Sequence, residues 1–192
     1  MQYFNKIFVF VIGVKLMIER MNRYLRSAPV SGIRRFTALA KAQPDCAMLT
    51  IGEPDFDTPE DIKAAAIRAL ESGRTHYPMN AGDPDVRGAI AAFEAESRNL
   101  DYAPDEVMLT AGASEAIYVA MTGVLEPGDE VIIPTPAFAL YETIAHLSGA
   151  KVVRLDTSDT GFQPDAGRLG ALFTERTKLV VLNSPNNPTG VA

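Results

Sequence analysis

The residues best suited to chemistry in this sequence are small or polar and follow short apolar runs. Ala111-Gly112-Ala113-Ser114-Glu115-Ala116 comes after Val107 to Thr110 and leads into Ile117, Ala120, Met121 and Val124 at helical spacing. Free backbone N–H groups at such a helix start, the Ser114 hydroxyl and the lack of bulk suit an anion such as a phosphate group. Small residues and a serine also open ordinary helices, so local chemistry leaves capping and anion binding both open. Asn183-Ser184-Pro185-Asn186-Asn187-Pro188-Thr189-Gly190 follows the aliphatic run Lys178 to Leu182. It sets polar side chains on a stiff turn at the carboxyl end of a strand, where open α/β sheets bind ligands. Asn and Pro are equally ordinary turn residues. Glu130 to Pro134 run into Thr135-Pro136-Ala137-Phe138, an aromatic ring that either stacks on a planar ligand or fills the core.

The elements that must position these residues read as strand and helix in alternation. Strands are expected at Val107 to Thr110, Glu130 to Ile133, Val152 to Leu155 and Lys178 to Leu182, with helices from about Ser114, from about Phe138 and near Asp165 to Phe173. Alternation of this kind predicts an α/β fold, a parallel sheet covered by helices. Upstream, Ile33, Phe36, Leu39 and Ala40 recur at helical spacing. Thr58-Pro59 with Asp61 reads as an N-cap, a first-turn proline and an acidic first turn; Ile62, Ala66, Ala69 and Leu70 form the buried stripe, and Gly73 ends the helix. Asp83 caps the next helix, Pro84 opens it, and Val86, Ala89, Ile90 and Phe93 face inward. Gly52, in Gly52-Glu53-Pro54-Asp55, allows a close backbone approach.

At 192 residues the chain is long enough to bury a core, and its net charge of −6 without a basic cluster argues against a nucleic-acid partner. Cys46 is the single cysteine, which excludes an intrachain disulfide framework and a zinc site built on cysteine pairs, and fits a reducing, cytoplasmic compartment. Ile7 to Val14 is apolar between Lys6 and Lys15 but far short of the roughly 20 residues that span a bilayer. Arg20, Arg23 and Arg26 stand where a signal cleavage site would fall, so neither membrane insertion nor secretion is expected. Residues 1–16 are read as an apolar N-terminal extension outside the fold, with an amphipathic arm as the alternative and Met17 or Met21 as other starts.

In this order the stretches resemble the N-terminal half of the class I and II aminotransferases, enzymes that use pyridoxal 5'-phosphate. The resemblance runs from about Ser31 to Gly190. It is carried by Gly52 to Phe56 with Thr58-Pro59, Tyr77 with Ala81-Gly82 and Arg87, Thr110 to Ala116, Pro127 to Val131, Pro134 to Phe138 with Tyr141, and Pro185 to Gly190. Val86 stands beside Arg87 where the family has leucine. Ser31-Gly32-Ile33-Arg34 is similar to the branch with bacterial aromatic and diaminopimelate-type enzymes.

The resemblance implies an incomplete parallel-sheet large domain of the aspartate aminotransferase-like fold. It divides the chain into the extension 1–16, an N-terminal arm and small-domain segment 17–51, and the truncated cofactor-binding large domain 52–192. It also implies that Gly112, Ala113 and Ser114 hold the cofactor phosphate, that Phe138 stacks on the pyridine ring and that Asn187 hydrogen-bonds the phenolic oxygen. Tyr77 would reach the phosphate of a neighbouring subunit's cofactor in a homodimer, and Gly52 would offer its backbone to the substrate carboxylate. The family's Schiff-base lysine, the aspartate that pairs with the pyridinium nitrogen and the carboxylate-binding arginine lie beyond the Asn-Pro-Thr-Gly stretch. Lysines 6, 15, 41, 63, 151 and 178 lack the matching context, so the expected function is amino-group transfer between an amino acid and a 2-oxo acid, with this chain an inactive N-terminal fragment. The alternatives are a non-catalytic binding module on the same fold and a carbon–sulfur lyase.

Overall fold

The computed structural model describes residues 20–27 and 32–192. The expected extension 1–16 and Ser31 lie outside the described residues. In chain order the elements are α1 (Arg23–Ser27), α2 (Ile33–Lys41), α3 (Glu60–Glu71), α4 (Pro84–Arg98), α5 (Ala113–Val124), β1 (Glu130–Thr135), α6 (Leu140–Leu147), β2 (Lys151–Asp156), α7 (Ala166–Gly170) and β3 (Thr177–Val180). Short 3₁₀ turns occur at Pro104–Glu106 and Ser158–Thr160. The chain forms two compact units, Ser31–Ala116 and Ile117–Ala192, the latter including α1.

In the Ile117–Ala192 unit β1, β2 and β3 make a parallel sheet in the order β2-β1-β3, as the alternating pattern predicts. Burial on both faces explains the middle of β1: Val131, Ile132 and Ile133 are wholly buried, so this run is continuously apolar and does not alternate. Val131 and Ile133 join Met121, Leu125, Tyr141, Ile144 and Ala145 in one cluster. Full burial of each large aliphatic side chain is worth about 1.5–3 kcal/mol. Glu130 pairs with Thr177 and Val131 with Leu179, so Lys178 is a bulge and the register shifts there. β3 ends at Val180, and one further ladder bond runs from Val181 N–H to Ile132 O at 3.0 Å.

In the Ser31–Ala116 unit, α4 starts as expected: the Asp83 carboxylate accepts from Asp85 N–H at 2.9 Å, with Pro84 in the first turn. At α3 the signal resolves differently. Pro59, not Thr58, takes the N-cap position, and no side chain caps the helix. The helix ends in a Schellman arrangement, Gly73 N–H to Leu70 O and Arg74 N–H to Ala69 O, each 3.0 Å.

Two expectations fail here. Val107–Thr110 forms no strand; Leu109 N–H bonds Ala81 O at 2.9 Å, and no described strand lies alongside to supply a ladder. The apolar stripes of α3 and α4 are also largely uncovered, with Ile62 56% and Phe93 58% exposed, because an amphipathic face is buried only by a second surface.

Candidate active site

The expected site residues fall in both units. Gly52, Tyr77, Gly112, Ala113 and Ser114 belong to Ser31–Ala116, and Phe138 and Asn187 to Ile117–Ala192.

In the first unit, the turn before α5 is built by a loop crossing. Gly82, at φ +101°, passes so close to Leu109 that a Cβ would stand 2.7 Å from the leucine Cβ, so only glycine lets Ala81 O reach Leu109 N–H. This joins the segment after Tyr77 to the one before Gly112: Pro78, Met79, Thr110 and Ala111 line one open depression. Gly112 has φ +85° and open space where a side chain would stand. The Glu115 carboxylate takes the Ala111 N–H, and Gly112 N–H bonds Thr110 O at 2.8 Å. The N–H groups of Ala113, Ser114 and Glu115 and the Ser114 hydroxyl have no acceptor among the described residues, and this helix start is exposed. Such a donor set in an uncrowded turn fits a phosphate group. Tyr77 is fully exposed, and Gly52 is exposed with nothing within 4 Å of a Cβ position.

In the second unit, the carboxyl ends of β1, β2 and β3 surround a cavity of about 170 Å³ lined by Pro136, Ala137, Tyr141, Phe162, Asn183 and Asn186, among others. Buried Thr157 closes β1, its N–H and Oγ1 donating to Thr135 O at 3.0 and 2.9 Å. Arg168 braces the β2 end through Asp156 O and the Asp159 carboxylate, both at 2.7 Å, and that guanidinium holds Asp159 below the ordinary aspartate range. Phe138 is half-buried, packed on the core and edge-on to Tyr141, with ring centres 6.0 Å apart at 89°. Asn187 is exposed and its side chain makes no hydrogen bond to any described residue.

Asn186 was not singled out by the sequence, where it is one of two adjacent asparagines. Its Nδ2 donates to Pro136 O at 3.1 Å and to Thr189 Oγ1 at 2.9 Å, while its N–H bonds Val191 O and its carbonyl accepts from Gly190 N–H, both at 2.7 Å.

The strongest electrostatic feature lies at the other end of the sheet. Glu130, 1% exposed, accepts from Lys151 Nζ, Thr174 Oγ1 and Arg176 NH2 at 3.0, 2.8 and 3.1 Å. These partners, Lys151 first, hold its carboxyl down at about 2. Lys151 and Lys178 thus stand toward the amino ends of β2 and β3; Lys41 ends α2, and Lys63 pairs with Glu60 at 2.5 Å. Among the described residues no helix is long and apolar enough to cross a membrane.

The helix start at Gly112 to Ser114 and the Asn-Pro-Thr-Gly turn both lie within the stretch that matches a known enzyme family. The family model for aminotransferase class I and II matches residues 44–192. The chain belongs to that family. It is 43% identical to a probable N-acetyl-LL-diaminopimelate aminotransferase of Bacillus subtilis, over 91% of this chain and 45% of the relative. It is 45% identical to an aspartate aminotransferase of Pyrococcus horikoshii, over 83% of this chain and 41% of the relative. The crystal structure of the aspartate aminotransferase from Rhizobium meliloti superposes with a TM-score of 0.81 at 38% identity, covering 88% of this chain and 43% of that one. The chain therefore spans less than half the length of these relatives.

Proposed function

We propose that this chain is the N-terminal part of a pyridoxal 5'-phosphate-dependent aminotransferase that moves an amino group between an amino acid and a 2-oxo acid. The reading is carried by the N–H groups of Ala113, Ser114 and Glu115 beside Gly112, which have no acceptor among the described residues, within a chain of the aminotransferase family. The cofactor supplies an electron sink at the substrate carbon; the protein binds and orients it. Gly112, Ala113 and Ser114 hold its phosphate, Phe138 offers a ring face to its pyridine, and Asn187 donates to the phenolic oxygen and favours its ionised form. Gly52 gives its backbone to the substrate carboxylate, and the exposed Tyr77 reaches a neighbouring subunit's phosphate in a homodimer. The lysine that carries the cofactor comes from polypeptide beyond Gly190, which agrees with the coverage of 41–45% of the relatives. The enzyme is cytoplasmic and serves amino-acid biosynthesis, and the names of the two relatives offer aspartate and a diaminopimelate-type compound alike as candidate substrates.

Titration of the purified chain with pyridoxal 5'-phosphate and with pyridoxal, followed by absorbance, tests the reading. The phosphorylated form binds more tightly and Ser114→Ala narrows the gap; equal binding of the two forms, unchanged by Ser114→Ala, overturns it.

A further inference from the structure

We infer that Asn186 is a positioning residue that locks the turn carrying Asn187 to the loop carrying Phe138, and so fixes the spacing of the two groups that grip the cofactor ring. The inference rests on the ring contacts proposed above for Phe138 and Asn187.

Its basis is the way one amide nitrogen is spent. A primary amide has two N–H hydrogens, and Asn186 Nδ2 uses one on Pro136 O at 3.1 Å and the other on Thr189 Oγ1 at 2.9 Å. Pro136 O can only accept, so the nitrogen must face it. The first bond spans separate loops, the second stays within the Asn-Pro-Thr-Gly turn. Backbone bonds from Asn186 to Val191 and Gly190, both 2.7 Å, hold the turn closed around this residue. Pro136 lies on the loop that leads into Phe138, and Asn187 follows Asn186 directly, with its own side chain uncommitted among the described residues. Asn186 is half-buried and shares the walls of the carboxyl-end cavity with Pro136. A residue serving only the turn would need the Thr189 bond and not the Pro136 bond.

The test compares Asn186→Asp, the same shape without either donor, with Thr189→Val, which removes only the partner inside the turn. Amide hydrogen exchange of the full chain is followed over residues 137–141 and 186–191. Asn186→Asp accelerates exchange in both segments on the order of fivefold, the loss of one ordinary hydrogen bond in each. Thr189→Val accelerates it in 186–191 only. Acceleration confined to 186–191 in Asn186→Asp overturns the inference. Should that variant unfold, Asn186→Ser, whose shorter side chain gives up the reach to Pro136 O, takes its place: acceleration over 137–141 supports the lock and its absence overturns it. With added pyridoxal 5'-phosphate, the uncharged Asn186→Leu, which also lacks both donors, raises the pH at which the bound phenol ionises, whereas the carboxylate of Asn186→Asp would do so by charge alone. Absence of any bound-phenol signal in the parent chain overturns the cofactor reading instead, and leaves the exchange result to judge the lock.

Discussion

Glu130 and Lys151 face each other across the first rung of the β1–β2 ladder, and the buried carboxylate accepts from the lysine Nζ at 3.0 Å. Arg176, just before β3, reaches the same oxygen at 3.1 Å. One carboxylate thus fastens the amino ends of the described strands.

The acid response follows. Glu130 has a folded pKa of about 2 against an ordinary 4.5, so the folded state releases its proton more readily than the unfolded one. Its stabilising contribution is complete above pH 4.5 and disappears as pH falls through about 2. Glu130→Gln lowers the urea midpoint at pH 7, and its deficit against the parent shrinks between pH 4.5 and 2. A deficit independent of pH would show that the ion contacts carry no weight.

Packing separates two kinds of apolar residue. Ile144→Ala empties a site only 1% exposed and costs about 2–5 kcal/mol. Ile62→Ser, on the uncovered face of α3, changes stability by no more than about 0.5 kcal/mol and improves solubility, since it shrinks an exposed apolar patch. Urea unfolding and light scattering read the two effects.

Gly82→Ala combines an unfavourable φ of +101° with a Cβ 2.7 Å from that of Leu109. It destabilises the Ala81–Leu109 crossing by more than about 1 kcal/mol. The change appears as faster amide exchange at Leu109 and weaker binding of pyridoxal 5'-phosphate.

On the proposed function, the expected outcome is that the purified chain transfers no amino groups and that borohydride traps no adduct confined to one lysine. Supplying the remaining polypeptide of a close relative restores transfer. Asn187→Ala then lowers it by about one to two orders of magnitude, the worth of a hydrogen bond to an ionised group at about 1.5–3 kcal/mol, whereas Lys178→Ala leaves it unchanged. Transfer by the chain alone, at rates above free cofactor, would show that the lysine had been misplaced.

Strands and helices whose signals are local were legible in the sequence; those that depend on neighbours were less so. Asp83-Pro84 and Thr58-Pro59 look alike as helix starts, but only Asp83 reaches a backbone donor, at Asp85. Glu130 to Ile133 and Val107 to Thr110 both read as strands; the first run is flanked by β2 and β3, and the second meets a loop through the bond from Leu109 N–H to Ala81 O. Spacing and small side chains pointed to a helix start near Ser114 and left capping and anion binding both open, and the assignment of Gly112 to Ser114 to a phosphate came from the resemblance. Nothing in composition separates Asn186 from Asn187, because the difference is which carbonyl the side chain meets after folding. The Glu130 cluster was equally silent, since Lys151, Thr174 and Arg176 are distant in sequence.

The bulge at Lys178 works as a splice in the sheet. Thr177 stays opposite Glu130, near the cations and hydroxyl that the glutamate needs, while Leu179 stays opposite Val131 and Val180 opposite Ile132 in the apolar layers above. Excising Lys178 would leave those partners in place and make the ladder continuous, whereas excising Leu179 would bring Lys178 opposite Val131, a charge in an apolar layer, or else keep the bulge and slide every later residue down one rung. The Asn-Pro-Thr-Gly turn hangs from that strand, so the rung that Val180 occupies sets the height at which Asn187 is delivered.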